Sequence, residues 1–217
     1  MDGVKIDRDI VRRDAETPEA AQPETLAEAA SSLSRAFVKD PLFDWFLRED
    51  GRREAVRLRF FERVLRESAF PDGVIERPAS GGAAAVWMPS EKLSSQPLTR
   101  ELRALPMLLA ATGLSRFPRL TRLRRAMDQR HPMERPHDYL WFLGVSPELQ
   151  GLGVGSRLLA ARTRALDAAG RPAFLETATP RNLALYNRHG FEIITDFRSE
   201  RDAPLIWGLW REPRGER

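Results

Sequence analysis

Three glycines fall within five residues of the stretch QGLGVGSRLL, from Gln150 to Leu159, and this spacing limits the possible folds more than any other feature. The stretch follows DYLWFLGVS (138–146), a nearly continuous apolar segment of the kind found in strands buried on both faces. After the glycines, apolar residues recur at helical spacing, at Val154, Leu158, Ala161 and Ala165. The pattern predicts a buried strand, a tight turn and then an amphipathic helix.

A glycine turn at the start of a helix is suited to bind an anion. The first N–H groups of a helix lack partners, the helix dipole is positive there, and missing side chains let a ligand approach closely. We therefore predict that the turn binds phosphate, with a tight turn that binds no ligand as the alternative. A P-loop is excluded, because no Lys-Ser or Lys-Thr follows the last glycine.

A dinucleotide-binding fingerprint is a second possible explanation of the turn. Gly151-x-Gly153-x-x-Ser156 follows a predicted strand, and Glu176 lies twenty residues further on, where a ribose-binding acid belongs. However, Ser156 replaces the third glycine, and about forty residues after Glu176 are too few to complete a doubly wound sheet. A dehydrogenase is therefore the weaker alternative.

The other segments predict an α+β fold, or α/β with a mixed sheet, since strands lie in the middle and at the end with helices between them. Helices are predicted at 26–37, 51–70, 99–130 and 182–189. Strands are predicted at 9–15, at 74–78 and 83–89 as a hairpin, at 138–146 and 172–177, and at 190–197 and 203–210 as an antiparallel pair.

Composition excludes several classes of chemistry. The chain has no cysteine, which excludes disulfides, a thiolate nucleophile and cysteine-ligated metal. Only three histidines remain as imidazole ligands, so we expect no metal site. We expect His131 and His137 in a turn or on the surface, and His189 as a cation at a helix C-terminus.

Charge and hydropathy bear on location and partners. No run of about 18 apolar residues is present and the N-terminus is charged, so we expect a cytoplasmic protein that does not span a membrane. The net charge of +4 suits a small polyanion without requiring nucleic acid, and we expect no nucleic-acid partner. A single aromatic residue, Phe117, lies among the arginines of 99–130, which is too few for a base-stacking surface and predicts a solvated basic face there: Arg116, Arg119, Arg122, Arg124, Arg125 and Arg130.

The segment Gln150-Gly151-Leu152-Gly153-Val154-Gly155 matches the Gln/Arg-x-x-Gly-x-Gly/Ala signature of the GNAT acyltransferases. From residue 130 to about 210 the chain also resembles the puromycin-acetylating members of that superfamily, with WFLGVSPELQGLGVGS and GRPAFLETATPRNLALYNRHGFEI. The resemblance implies a GNAT fold, with a central mixed sheet flanked by helices. It implies one domain over 1–217, with an acceptor-side half at about 1–130 and a donor-binding half at about 131–217.

The resemblance also implies acetyl-coenzyme A as the acyl donor. Its pyrophosphate would be bound by the turn from Gln150 to Ser156, that is by Gln150, Gly151, Leu152, Gly153, Val154, Gly155 and Ser156, with Asn182 as a further contact. In such folds the strand before the turn parts from its neighbour and the pantetheine arm enters the gap. We expect Gly144 to supply the irregularity that opens the gap, with the backbone of Leu143 and Val145 facing the pantetheine and the Val145 amide facing the thioester oxygen.

Two residues are candidates for proton transfer. The family pattern makes Tyr186 the general acid for the departing thiolate, on the same helix face as Asn182. A tyrosine pKa of about 10 against about 8.5 for a thiol makes that transfer uphill by roughly 2 kcal/mol in water. Glu176, at the end of a buried strand, is the candidate base for the amine, directly or through a water. The alternatives are a core tyrosine beneath Phe191 and a structural, hydrogen-bonded glutamate.

We expect the acceptor to be a small-molecule primary amine, such as an aminoacyl-nucleoside or an antibiotic-like amine, which attacks directly in a ternary complex. Trp45, Trp87 and the turn from Lys39 to Pro41 are candidates for the acceptor pocket, although core packing is the better explanation for any one of them. The alternative acceptors are protein N-termini or lysines, and a catalytically idle acyl-coenzyme A-binding module is the alternative to an enzyme. We expect a monomer or a homodimer.

Overall fold

A computed structural model describes residues 7–93 and 98–215 of the chain, and seven strands in this part form one mixed sheet. The strands are β1 Glu19–Ala20, β2 Val74–Arg77, β3 Ala83–Pro89, β4 Asp138–Val145, β5 Ala173–Thr177, β6 Glu192–Phe197 and β7 Ile206–Arg211. Their order across the sheet is β1-β2-β3-β4-β5-β7-β6. Neighbouring strands are antiparallel, except that β4 and β5 are parallel.

Helices cover both faces of the sheet. They are α1 Arg8–Asp14, α2 Leu26–Ala36, α3 Pro41–Phe46, α4 Arg53–Val64, α5 Phe70–Asp72, α6 Ser90–Leu93, α7 Leu98–Asp128, α8 Val154–Ala168 and α9 Pro180–Arg188. A π-helical turn, Leu65–Ala69, follows α4, and short 3-10 turns lie at Pro23–Thr25, Phe37–Lys39 and Pro147–Leu149. Within the described ranges, no helix is long and apolar enough to cross a membrane.

The sheet separates two apolar cores. Side chains of α2, α3, α4 and α7 pack on one face, around Phe61 and Phe174. Side chains of α1, α8 and α9 pack on the other face, around Leu158 and Leu175. The predicted mixed sheet, the β2–β3 hairpin, the β6–β7 pair and the strand, turn and helix from β4 to α8 are confirmed.

The predicted strand at 9–15 is wrong, because these residues form α1. The Asp7 carboxylate accepts hydrogen bonds from the backbone N–H groups of Asp9 and Ile10, which caps the helix. Val11 and Ala15, four residues apart, are completely buried in the same core as α8, whereas Ile10 is 43% exposed. The short apolar pattern was therefore a helical stripe and not a β alternation.

The arginines of α7 contact other elements and do not form a solvated face alone. Arg116 donates to the Leu47 carbonyl at 2.7 Å, and Arg119 donates to the Trp45 carbonyl at 3.0 Å, both at the C-terminal end of α3. Cations stabilise a helix C-terminus. Arg119 and Arg122 also pair with acids in the turn between β6 and β7, at Asp202 and Glu200. The basic helix therefore joins α3 to that turn.

Gly144 of β4 lies where α2 comes closest to the sheet. A Cβ added there would lie 2.8 Å from Cδ2 of Leu33 and 2.9 Å from Cβ of Ala36. Gly144 pairs regularly with Ala84 on β3, so the predicted irregularity at this residue is wrong. The glycine is required because a helix packs directly on the strand.

We predict that Gly144→Ala lowers the free energy of unfolding by roughly 1–3 kcal/mol, the usual cost of overpacking. Urea denaturation measures the change. Gly51→Ala is the matched control, because an added Cβ meets no atom within 4 Å at Gly51. Wild-type stability of Gly144→Ala would contradict the close approach of α2 to β4.

Candidate active site

The parallel strands β4 and β5 pair over three positions and then part. The pairs run from Asp138 with Ala173 to Leu140 with Leu175. Beyond them, β4 continues beside β3 as far as Val145, and β5 continues beside β7 as far as Thr177. The result is a V-shaped gap in the middle of the sheet, which we call the opening.

A β-bulge at Trp141 marks the apex of the opening. On β3, Val86 pairs with Phe142 whereas Trp87 pairs with Leu140, so Trp141 is the extra residue of β4. A bulge bends its strand and increases the local twist. The irregularity that the sequence analysis expected at Gly144 is therefore three residues earlier.

The backbone of Leu143 and Val145 faces the opening. The Ser146 N–H donates to the Gly82 carbonyl at 2.9 Å on the β3 side, and backbone polar groups alternate in direction along an extended strand. The groups of Val145 and Leu143 therefore point away from β3. The Gln150 side chain donates to the Val145 carbonyl at 3.0 Å. The Val145 carbonyl is therefore occupied, and the Val145 N–H is the group that can donate to a ligand in the opening.

The glycine turn presents an uncapped helix N-terminus beside the opening. Gly151 and Gly153 have φ of 79° and 78°, which glycine adopts without strain. Gly153 precedes α8 without a side-chain cap, and no acid lies in the first turn. A Cβ on Gly155 would lie 3.4 Å from the Val145 side chain, so this turn of α8 packs on β4. The N–H groups of the first turn fit an anionic ligand that reaches along β4.

Ser156 and Arg157 connect the turn to its surroundings. Arg157 donates to the carbonyls of Leu152 and Gly153 at 3.3 Å and pairs with Glu16 at 3.0 Å. The Ser156 hydroxyl lies 2.8 Å from Nε2 of His189. Burial, and then nearby arginines, lower the pKa of His189, so the predicted cation at this helix end is wrong.

Tyr186 is buried on α9, one helical turn after the half-buried Asn182. Its ring contacts Phe191 edge to face, with 6.1 Å between the ring centres, as expected for a tyrosine that packs in the core. Burial, and then the negative charge of Asp40, raise the pKa of Tyr186 well above its usual value. The hydroxyl is therefore fully protonated at neutral pH, as a proton donor must be.

Asp40 lies in the turn from Lys39 to Pro41, which was predicted as a candidate for the acceptor pocket. It caps α3 by accepting from the N–H groups of Leu42 and Phe43 at 3.0 and 3.1 Å. Burial raises the pKa of Asp40 to about 6, although these two hydrogen bonds lower it. The negative charge of Asp40 also contributes to the raised pKa of Tyr186, after burial. An aspartate before Pro41 is an ordinary helix cap in sequence, so the sequence alone did not distinguish this carboxyl group from the rest of the turn.

Glu176 is the first residue of β5 beyond the last β4–β5 pair, so it lies at the apex of the opening. The Tyr139 hydroxyl donates to Oε2 at 3.0 Å, while Oε1 is buried and has no hydrogen-bond partner among the described residues. Burial raises the pKa of Glu176 to about 7, with Asp128 adding to the rise and Tyr139 opposing it. A carboxyl group with this pKa is suited to accept a proton near neutral pH.

The structure corrects the expectation for His137 and agrees with it for His131. His137 is completely buried, whereas the half-buried His131 lies in the bend that follows α7. Their Nε2 atoms lie 3.0 Å apart, and Nδ1 of His137 lies 2.8 Å from the Arg135 carbonyl. Burial, and then His137, lower the pKa of His131 to about 4. Both rings are therefore neutral at pH 7.

The aromatic side chains near the opening differ from the predicted ones. Trp87 is completely buried in the core of α8, and Trp45 is buried with its Nε1 donating to Asp202 at 3.3 Å, as core packing required. The α2 and α4 face instead has rings that are only partly buried. They are Phe37, Phe60, Trp141 and Phe142. Phe142 contacts Trp141 at 5.1 Å and Phe37 at 5.8 Å.

Comparisons with known proteins agree with this architecture. Residues 122–193 match the family model of the acetyltransferase (GNAT) domain. The structure resembles that of the histone acetyltransferase HPA2 and related acetyltransferase from Corynebacterium glutamicum, with 24% identity, coverage of 92% of this chain and 97% of that chain, and a TM-score of 0.67.

Two insect structures show the same fold. The polyamine N-acetyltransferase of Drosophila melanogaster is 16% identical, with 90% of this chain and 98% of that chain covered and a TM-score of 0.60. Arylalkylamine N-acetyltransferase 2 from Aedes aegypti is 11% identical, with 91% and 98% covered and a TM-score of 0.60. The chain therefore has the predicted GNAT fold, a mixed seven-stranded sheet flanked by helices.

We predict that Glu176→Gln stabilises the protein at pH 8. Because the pKa of Glu176 is raised from 4.5 to about 7, its contribution to stability is complete below 4.5 and is lost as the pH rises through 7. The replacement removes a cost of roughly 3 kcal/mol at pH 8 and has little effect at pH 4. Urea denaturation at both pH values measures the difference.

Glu192→Gln is the control, because Glu192 is exposed on β6. An equal change in stability at both pH values for Glu176→Gln would show that the carboxyl group does not titrate as described.

Proposed function

We propose that this protein is a GNAT-type N-acetyltransferase that transfers the acetyl group of acetyl-coenzyme A to a primary amine of a small molecule. The observation that carries the proposal is the opening between β4 and β5, which has an uncapped helix N-terminus beside it and a buried carboxyl group at its apex. Residues on both sides of the opening are suited to the steps of acyl transfer.

The donor side binds the acyl carrier. Backbone N–H groups from Gly151 to Ser156 bind the pyrophosphate at the start of α8. The backbone of Leu143 and Val145 lies along the pantetheine arm, and the Val145 N–H stabilises the negative charge that develops on the thioester oxygen. Gly144 lets α2 pack against this strand, and Gln150 joins the turn to it.

Two further residues belong to the donor side. Asn182 contacts the carrier from α9, one helical turn before Tyr186. Tyr186 gives its proton to the departing sulfur. Its raised pKa, which burial and then the negative charge of Asp40 cause, makes this transfer harder than in water. Since the chain has no cysteine to carry an acyl group, we infer direct attack by the amine.

The acceptor side binds and deprotonates the amine. Glu176 accepts its proton, because the pKa of about 7 leaves much of this carboxyl group ionised at neutral pH. Asp40 attracts the positively charged amine into the site before transfer. The partly buried rings of Phe37, Phe60 and Phe142 lie on the same face and suit an apolar body attached to the amine.

The substrate class follows from this chemistry and from the resemblance to puromycin-acetylating enzymes. We infer a cationic amine with an aromatic or apolar body, such as an aminoacyl-nucleoside. The groups proposed for the acceptor side come mainly from residues 1–130 and those for the donor side from residues 131–217, which supports the predicted division of one domain. A protein N-terminus or lysine is the alternative acceptor.

Thiol release from acetyl-coenzyme A tests the proposal, with a panel of amines that includes puromycin, other aminoacyl-nucleosides, arylalkylamines, polyamines and peptides. We expect turnover with the aromatic amines. Turnover only with peptides would establish the alternative acceptor. If the protein binds acetyl-coenzyme A but acetylates no amine in the panel, the small-molecule proposal is rejected.

We predict that Tyr186→Phe lowers kcat by roughly 100-fold or more, the usual contribution of a general acid, because the thiolate then leaves without a positioned proton. The ring and its contact with Phe191 remain, so calorimetry should show an unchanged Kd for acetyl-coenzyme A. A normal kcat would exclude Tyr186 from the reaction.

For Asp40→Asn we predict a KM for the amine that is raised by about tenfold, because one charge-assisted contact worth roughly 1.5 kcal/mol is lost. Asparagine caps helices as well as aspartate, so α3 should remain folded. Asp7→Asn, at the cap of α1, is the matched control. Equal KM values for wild type and Asp40→Asn would exclude Asp40 from amine binding.

A further inference from the structure

The carboxyl group of Glu176 is constrained on one side only. On Oε2 it accepts the hydrogen bond from Tyr139 at 3.0 Å. Its other oxygen, Oε1, is buried without a partner among the described residues. A buried oxygen that lacks a hydrogen bond costs free energy, and a bound group that donates to Oε1 would remove this cost.

The position of Tyr139 allows its hydroxyl little freedom. Its ring stacks on Phe174 at 6.0 Å, and the ring of His131 meets it edge to face at 4.8 Å. His131 is itself fixed by the contact between its Nε2 and that of His137. Burial, and then Glu176, raise the pKa of Tyr139 well above its usual value, so the hydroxyl keeps its proton and acts as the donor.

The register of the strands explains why Glu176 is reached from only one side. Tyr139 pairs with Phe174, two residues before Glu176, within the closed part of the β4–β5 ladder. Side chains two residues apart on a strand lie on the same face, so Tyr139 reaches Glu176 diagonally. Glu176 lies at the first position where the ladder has ended. Oε1, the oxygen that Tyr139 does not contact, is therefore the one left for a partner at this position.

We propose that Tyr139 is the positioning residue of this active site: its hydroxyl fixes Oε2 of Glu176, so that Oε1 is the oxygen that meets the acceptor amine. The inference rests on the proposed function. In the reaction the carbon–nitrogen bond forms and the carbon–sulfur bond breaks. Oε1 of Glu176 takes one proton from the ammonium group, Tyr186 gives its proton to the sulfur, and the second proton that the nitrogen loses on forming the amide restores the Tyr186 hydroxyl.

The charged and titratable groups around Glu176 define the expected pH dependence. Tyr139 from β4 lowers the pKa of Glu176, whereas Asp128 from α7 raises it. Gly208, its partner on β7, has no side chain. His131 and His137, behind Tyr139, have pKa values that are lowered chiefly by burial, which favours their neutral forms. Loss of the Tyr139 hydroxyl should therefore raise the pKa of Glu176.

Tyr139→Phe tests the proposal, because it keeps the ring and removes only the hydroxyl. In wild type we expect kcat/KM to rise with pH through about 7, and Glu176→Gln to abolish this rise. Tyr139→Phe should move the rise upward by about one pH unit and lower kcat on the alkaline plateau about tenfold. An unchanged rise with an unchanged plateau would overturn the proposal.

Tyr186→Phe is the matched control, because Tyr186 is the other tyrosine of the chain. It should lower kcat without moving the rise in kcat/KM. Loss of stability alone would lower the active fraction of Tyr139→Phe without changing its pH profile.

A second measurement separates this proposal from the proposed function. In protein labelled with carbon-13 at the glutamate carboxyl groups, the signal that Glu176→Gln removes reports the titration of Glu176. We expect its midpoint to rise by about one pH unit in Tyr139→Phe. An unchanged midpoint overturns the role of Tyr139, even in a protein that acetylates no amine of the panel. A raised midpoint in such a protein would leave the role of Tyr139 supported and the proposed function rejected.

Discussion

The parting of two parallel strands is the constraint on which the rest of the site depends. Three pairs join β4 to β5, and each strand then follows its other neighbour. The bulge at Trp141 bends β4 away, and the small residue Gly144 lets α2 press on the bent strand from one side. On the other face, Gly155 packs the start of α8 against Val145. Two glycines thus bring helices close to one strand on both faces, while its free edge remains open.

The buried acids near β4 differ in whether they have ion-pair partners. At the closed end, Asp138 is buried and forms ion pairs with Arg162 and Arg171. Neither Glu176, at the apex of the opening, nor Asp40, at the start of α3, has a basic ion-pair partner among the described residues, although the chain has 35 lysine and arginine side chains. A buried carboxylate without a cation is costly, and its pKa rises. The unpaired acids are therefore consistent with a site that is completed by a cationic ligand.

Local patterns predicted the parts of the fold that local physics governs. The glycine spacing after DYLWFLGVS predicted the strand, turn and helix, because only glycine adopts the positive φ of residues 151 and 153 without strain. A short segment with few apolar residues fits a strand and a helix equally well. Residues 9–15 contain too few apolar positions to distinguish a strand from a helix, and the cap at Asp7 together with burial against α8 decides for the helix.

The sequence by itself predicted the glycine turn between a strand and a helix, the mixed sheet, and the positions of Glu176 at the end of a strand and Tyr186 on a helix. Only the tertiary structure decided where the opening lies, since strand register placed the bulge at Trp141 and the apex at Glu176. It likewise decided that Trp87 and His137 are buried and that Asp40 lies near Tyr186. Asp40 and Tyr186 are far apart in the chain, and their interaction depends on distance and burial, which no local pattern contains.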